Sequence, residues 1–343
     1  MARQNVGNPK FYIDMLSFFR TQGSFTAGSD HLNIMGNVDP VKYDTLEIEN
    51  IGQYTQYDFN LQLNRTNQVS EDNKHFLAFL NHNFYDENIF KPKIEIYYAS
   101  LLRNTIDNFD EICNFSFDNN GWSLGEYDGD GQEFSKLVFS ISKDSQANTS
   151  ANVLLGSIAW GQVFQMPHSP DLQLTMTREY DGIKTQQSRG GSTLTQIDYT
   201  GSPHWGSKPA WYVGKAIDTA SEGYKEQRQY GKGRKTWDLK FSYVSSDNLF
   251  PINESISSSN PTDNDTNTFP SGDFLNNAYD DTSFMSVVMG KTLGGALPFI
   301  FQPDGNNNSP DQFAICQIDQ GSFQFKQVAH NVYDVSLKIR EVW

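Results

Sequence analysis

The strongest constraint on this chain is a two-residue rhythm near its carboxyl end. In Arg234-Lys235-Thr236-Trp237-Asp238-Leu239-Lys240-Phe241-Ser242-Tyr243 the large residues Trp237, Leu239, Phe241 and Tyr243 alternate with Asp238, Lys240 and Ser242. Successive side chains of a strand point to opposite faces, so this spacing describes a strand with one face on a core and the other on water. Tyr333-Asp334-Val335-Ser336-Leu337-Lys338-Ile339-Arg340 repeats the rhythm. Between the two lie shorter apolar segments at Ala296–Asp304, Gln312–Cys316 and Ser322–Lys326. The stretch from Gly233 to Trp343 is therefore read as a β-unit closed by its own last strand, which ties the terminus down.

Composition agrees. Only 37% of the 343 residues are hydrophobic, yet 14% are aromatic, with 25 Phe, 16 Tyr and 6 Trp. Such a core is built from few, large side chains suited to a pleated surface. The length exceeds what one core usually serves, so two domains are expected. The net charge of −15 opposes binding to DNA or an anionic membrane; it reads as a soluble surface. Cys113 and Cys316 each sit beside apolar residues, the setting of buried free thiols. Met1-Ala2-Arg3-Gln4-Asn5 has no apolar core of a signal peptide, and no apolar run is long enough to cross a bilayer. Synthesis in a cytoplasm is expected, with the protein working in solution or in an assembly.

Earlier in the chain, Phe11–Phe19 is dense enough for a strand buried on both faces, or one docked on a partner. Tyr43–Glu49, Tyr57–Asn64 and Ile94–Tyr98 read as further strands. Ser70, Glu71 and Asp72 ahead of Phe76, Phe79, Leu80 and Phe84 predict a capped helix. Asp118–Gly131, crowded with Asp, Asn and Gly, offers hard oxygen ligands, but it lacks EF-hand spacing and reads as hairpin turns with positive φ. Residues 145–151 are a polar junction. Pro167 and Pro170 stop any regular element, after which Leu172, Leu174 and Met176 alternate. Residues 182–232 form a long Gly-, Ser- and Gln-rich excursion, read as an arm or a surface loop, and 253–273 a flexible polar insertion. A short helix is expected through Phe284, Val287, Val288 and Lys291, stopped by Gly294-Gly295.

The predicted architecture is mainly β, of β-sandwich or split-barrel type, with one or two short helices. It divides into an N-terminal β-rich domain over 1–150, carrying one helix, and a barrel-like domain over 151–343.

Signals for catalysis are missing. His31, His75, His82, His168, His204 and His330 make no zinc-protease spacing, and no cysteine joins a histidine in a metal pattern. Gly201-Ser202-Pro203 lacks the second glycine of a nucleophile elbow, and Gly190-Gly191-Ser192-Thr193 lacks the lysine of a phosphate loop. Gly231-Lys232-Gly233-Arg234-Lys235 is basic in an acidic chain and reads as a local partner contact. The expectation is a protein that binds rather than an enzyme, with no cofactor and no metal.

Several runs nonetheless carry a resemblance. Thr177-Arg178-Glu179-Tyr180-Asp181-Gly182, Gly190-Gly191-Ser192-Thr193-Leu194, Trp237–Tyr243, Leu297–Asp304, Gln312–Cys316 and Phe323-Gln324-Phe325-Lys326-Gln327-Val328-Ala329 resemble, in order, virion structural proteins of tailed bacteriophages. The similarity is greatest to uncharacterised tail proteins of marine and cyanobacterial phages, and it covers roughly residues 155 to 343. It implies a structural part near the tail tip, of distal-tail or baseplate-hub type. It further implies a homo-oligomeric ring, hexameric or trimeric, contacting neighbouring tail and baseplate proteins, with DNA passing an acidic lumen and no sequence-specific nucleic-acid binding. It brings no catalytic residues. Under it, Phe11, Phe18, Trp205 and Trp211 are candidate interface anchors. An alternative is a carbohydrate-binding β-sandwich for host attachment, with Trp122 and Tyr127 as the sugar-stacking platform and a buried Trp122 as the competing reading.

Overall fold

The computed structural model describes residues 6–22, 25–27, 34–35, 46–48, 56–68, 73–82, 89–113, 122–143, 153–171, 175–179, 183–197, 234–251, 282–309 and 312–342. In chain order the elements begin with β1 (Lys10–Asp14), α1 (Met15–Thr21), β2 (Phe25–Ala27), β3 (Leu46–Ile48), β4 (Gln56–Gln68), β5 (Lys74–His82), β6 (Ile89–Tyr98) and β7 (Leu101–Ile106). They continue with β8 (Asp110–Cys113), β9 (Trp122–Asp128), β10 (Glu133–Lys143), β11 (Val153–Gln165), β12 (Thr175–Glu179), β13 (Ile183–Gln187) and β14 (Thr193–Ile197). The last group is β15 (Arg234–Ser245), α2 (Ser246–Leu249), a π-helix (Met285–Gly290), β16 (Phe299–Gln302), β17 (Ala314–Ile318), β18 (Gln324–Ala329) and β19 (Val332–Glu341). The protein is mostly β, as the alternation requires.

One twelve-stranded sheet runs β12-β15-β19-β17-β16-β1-β11-β5-β9-β8, with β18 beside β19 and β3 beside β11. A five-stranded sheet runs β2-β4-β10-β6-β7, and β13 and β14 form a separate hairpin. Every pairing between these strands is antiparallel. The large sheet takes strands from both sides of residue 150: β11 lies between β1 and β5.

Three apolar clusters hold the layers. Phe59, Leu61, Ile94, Ile96, Leu137 and Phe139 of the small sheet pack against Leu77, Phe79, Ile158 and Trp160 of the large one, a sandwich core. A second cluster joins Trp237, Leu239, Phe241, Val335, Leu337 and Ile339 to Phe284, Val287 and Val288 beside the π-helix. A third, with Tyr12, Phe76, Ala78, Leu80, Trp122 and Phe313, occupies the other face of β5, β9 and β11. Burying each such side chain contributes on the order of 2 kcal/mol.

Several expectations change. Residues 74–82 are a strand, not a helix. The apparent helical stripe of Phe76, Phe79 and Leu80 is an artefact of burial on both faces: His75, Leu77 and Phe79 face one way, Phe76, Ala78 and Leu80 the other, so period two is hidden. Phe11–Phe19 is not one strand, because Asp14 ends β1 and caps α1 by accepting from the N–H groups of Leu16 and Ser17. Asp128–Gly131 is not a hairpin turn; it carries the chain from β9 in one sheet to β10 in the other, with Gly131 at φ 69°. Asn119 and Gly121 lie outside the described residues. Within the long excursion residues 183–197 form the β13–β14 hairpin, with Gly191 at φ 85° in its turn, and 198–232 lie outside the described residues. Strand β6 begins at Ile89, so Pro92 lies within it.

The C-terminal strands follow their pattern, with one break. In β19, Tyr333, Val335, Leu337 and Ile339 are buried in strict alternation. In β15 the register shifts between Phe241 and Val244; Val244 takes the inward place and Tyr243 is left 76% exposed at φ 61°. The short helix through Phe284–Lys291 is present as the π-helix, and Gly294 and Gly295 follow it at φ 73° and 85°.

Candidate functional site

The residues singled out from sequence fall mostly inside. Phe11 sits 5.1–6.4 Å, ring to ring, from Phe164, Phe284, Phe299 and Phe301 and is wholly buried. Phe18 is buried on α1 beside Phe19. Neither is a surface anchor; each belongs to a core that the clustering of aromatics in its own segment helped to build. The sugar platform is corrected in the same way. Trp122 is fully buried against Phe313, 5.4 Å away, and Tyr127 is buried with its hydroxyl accepting from Trp160 Nε1 at 2.7 Å. Neither ring has a face available to a pyranose, because β9 is covered on both sides. Trp205 and Trp211 lie outside the described residues.

Buried polar groups around these rings serve structure. Asp14 also accepts from the Ser17 hydroxyl and from the Trp160 N–H, joining α1 to β11. Burial pushes its carboxyl up to about 6 against those hydrogen bonds. His75 stacks between Tyr127 and Trp160, and its Nδ1 donates to the Asn73 carbonyl. Burial, helped by the Lys291 ammonium, lowers it to about 3; burial alone does the same to His82, whose Nε2 lies 2.9 Å from Ser123 Oγ. Cys316 is a buried free thiol held well above its usual range by burial and the Glu341 carboxylate, which removes thiolate chemistry. Among the described residues no group of three metal-ligating side chains comes together.

Among the described residues the large apolar side chains that reach solvent lie, Leu293 after the π-helix apart, at hairpin ends and strand borders. Leu101 and Leu102 are 62% and 52% exposed where β7 leaves its turn; Met176 lies on β12 and Leu194 on β14. Tyr243 projects from the β15 bulge, held by two carboxylates: Asp171 accepts from the Ser242 N–H and hydroxyl, and Asp334 from the Tyr243 N–H. A bulky residue at positive φ is a genuine outlier that the surroundings must enforce. Phe325 and Val328 lie on β18, a strand exposed along its whole length whose described pairing is with β19 alone.

Sequence reading missed these residues for identifiable reasons. The alternating pattern places Tyr243 in the inward row, because a bulge leaves no mark in it. The adjacent pair Leu101-Leu102 did carry a signal, since two neighbouring residues of a strand cannot both face one core. Comparison with protein-family models, with curated proteins and with solved structures returns no match.

Proposed function

We propose that this chain is a structural component of a phage tail, of distal-tail, baseplate-hub or tube-tip type, that works by assembling with copies of itself and with adjoining tail proteins. The observation that carries it is the placement of exposed apolar side chains at strand borders and hairpin ends, on Leu101, Leu102, Met176, Leu194, Tyr243, Phe325 and Val328, while Phe11, Phe18, Trp122 and Trp160 are consumed by the core. Sheet borders of this kind accept a neighbour's strand or side chains. The ordered resemblance of residues 155 to 343 to phage tail proteins supports the same reading, and the acidic balance suits a ring that lets DNA pass without holding it. A head-to-tail contact of fixed rotation closes such a ring at three or six copies.

Residence in the virion is tested by labelling. Purified particles are treated with antibody raised against this chain and imaged; the expected result is label at the tail tip. Label on the capsid, or particles lacking the chain by mass spectrometry, would contradict the assignment. The sugar-binding alternative loses its motive with the burial of Trp122 and Tyr127.

A further inference from the structure

We propose that Lys291 and Gln162 become joined by an amide bond inside the core, a cross-link that the folded chain makes between its own side chains. The inference concerns the chemistry of the fold and stands whether or not the chain belongs to a phage tail.

The two residues come from fixed but separate pieces of backbone. Gln162 is an interior residue of β11, in register with Ile13 of β1 on one side and with His75 of β5 on the other. Lys291 closes the π-helix, an element met most often at functional sites. The chain around it is fastened. The Thr292 N–H and hydroxyl donate to the Val288 carbonyl, and the Gly294 and Leu297 N–H groups to the Met289 and Thr292 carbonyls.

This framework brings the Lys291 ammonium onto the side-chain oxygen of Gln162, to which it donates. The two residues are only 2% and 1% exposed, although lysine is among the residues least often buried completely. The partner's chemistry matters as much as the depth. Lys10, Lys74, Lys93 and Lys338 meet carboxylates, which offer an amine no leaving group, whereas Lys291 meets a carboxamide.

The surroundings are dry. Along β11, Gln162 shares a face with Trp160 and Phe164, which belong to the first and second apolar clusters, and Phe284 lies 5.4 Å from Phe164. His75, opposite Gln162, stacks 6.1 Å from Trp160 and is held neutral, chiefly by burial. Rings on both sides keep water, the competing nucleophile, from the Gln162 amide.

Amide exchange is the reaction this placement permits. Burial penalises a charged amine relative to a neutral one, and the neutral amine is the nucleophile. The Nζ lone pair attacks Gln162 Cδ, the carbonyl electrons move to Oε1, and on their return the Cδ–Nε2 bond breaks. One proton of the original ammonium stays on the new amide nitrogen. The other two pass to Nε2, which departs as an ammonium ion. Atoms and charge balance, and no oxidant, metal or nucleotide is consumed. Primary amides resist amines in solution, but oriented neighbours react as though present at about 10⁵–10⁸ M. The bond fastens the segment after the π-helix to β11, the strand between β1 and β5, and closes residues 163–290 into a covalent loop.

The test is the mass of the purified full chain, read after denaturation and followed by tryptic mapping. Expected is a mass about 17 Da below that of the sequence, from loss of one ammonia, with cleavage after Lys291 blocked and the Gln162 peptide attached there. Lys291→Arg and Gln162→Met should each restore the full sequence mass. A native chain that keeps the sequence mass and yields two linear peptides, after prolonged incubation at neutral pH, would overturn the proposal. Ammonia lost at any other residue would do the same. A gain of about 1 Da at Gln162 would also overturn it, because water rather than Lys291 would then have taken the acyl group.

Discussion

Acid should unfold this protein through two histidines. His75 and His82 are held near 3 in the folded chain, against an ordinary value of 6.5, chiefly because burial penalises the cation. Below pH 6.5 the unfolded chain binds a proton at each and the folded chain does not. Their stabilisation is complete above pH 6.5 and is lost as pH falls toward 3. Each histidine then removes about 1.4 kcal/mol of stability per pH unit, so the pair removes nearly 3. Asp14 works the other way. Its folded value of about 6 exceeds its ordinary 3.8, so its contribution is full below 3.8 and lost as pH rises through 6. Between pH 6 and 4 acidification therefore gains about 1.4 kcal/mol per unit from Asp14 and loses about twice that from the histidines. These three groups together leave a loss of about 1.4 kcal/mol per unit, a large fraction of the 5–15 kcal/mol typical of a domain; the buried Glu341 carboxyl, also raised, acts in the same direction as Asp14 and the lowered Glu95 in the opposite one. Urea unfolding at a series of pH values reads this slope directly. His82→Gln, whose amide can still reach Ser123, should flatten the slope by about 1.4 kcal/mol per unit, whatever it does to stability at neutral pH. An unchanged slope in that variant would refute the reasoning.

Three other outcomes follow from particular contacts. A Cβ at Gly161 would lie 2.0 Å from the Ile13 carbonyl oxygen and 2.8 Å from the Met15 N, so Gly161→Ala should destabilise by about 3 kcal/mol or more in chemical denaturation, through forced separation of β1 and β11. Trp122→Ala should cost about 3–5 kcal/mol in the same assay and leave any glycan-array signal unchanged, since its ring is wholly buried. Replacing Ala99-Ser100 by Asn-Gly should raise stability by about 1 kcal/mol, seen as a higher melting temperature, because those residues adopt positive φ at lower cost.

The fold was legible where one face of a strand meets water. Trp237, Leu239 and Phe241 alternate with polar residues because β15 has a core side and a wet side, and β19 behaves alike. Legibility failed where both faces are covered. In β5 the requirement for apolar residues on each side erased the rhythm and let Phe76, Phe79 and Leu80 imitate a helix. It failed again where one polar residue changes the element, as Asp14 does between β1 and α1. The candidate surface was the least legible part. Aromatic residues attract attention as anchors, but Phe11 and Trp122 are largest where the core is deepest, whereas the exposed leucines of β7 are ordinary residues made unusual by a strained turn. Exposure depends on the packing of distant strands, which local composition does not encode.

Self-assembly is tested most directly by native mass spectrometry of the full chain across a concentration series. A ring predicts a dominant species at three or six times the mass of the chain, giving way to smaller species on dilution. A single species at the mass of one chain, at every concentration, would contradict it.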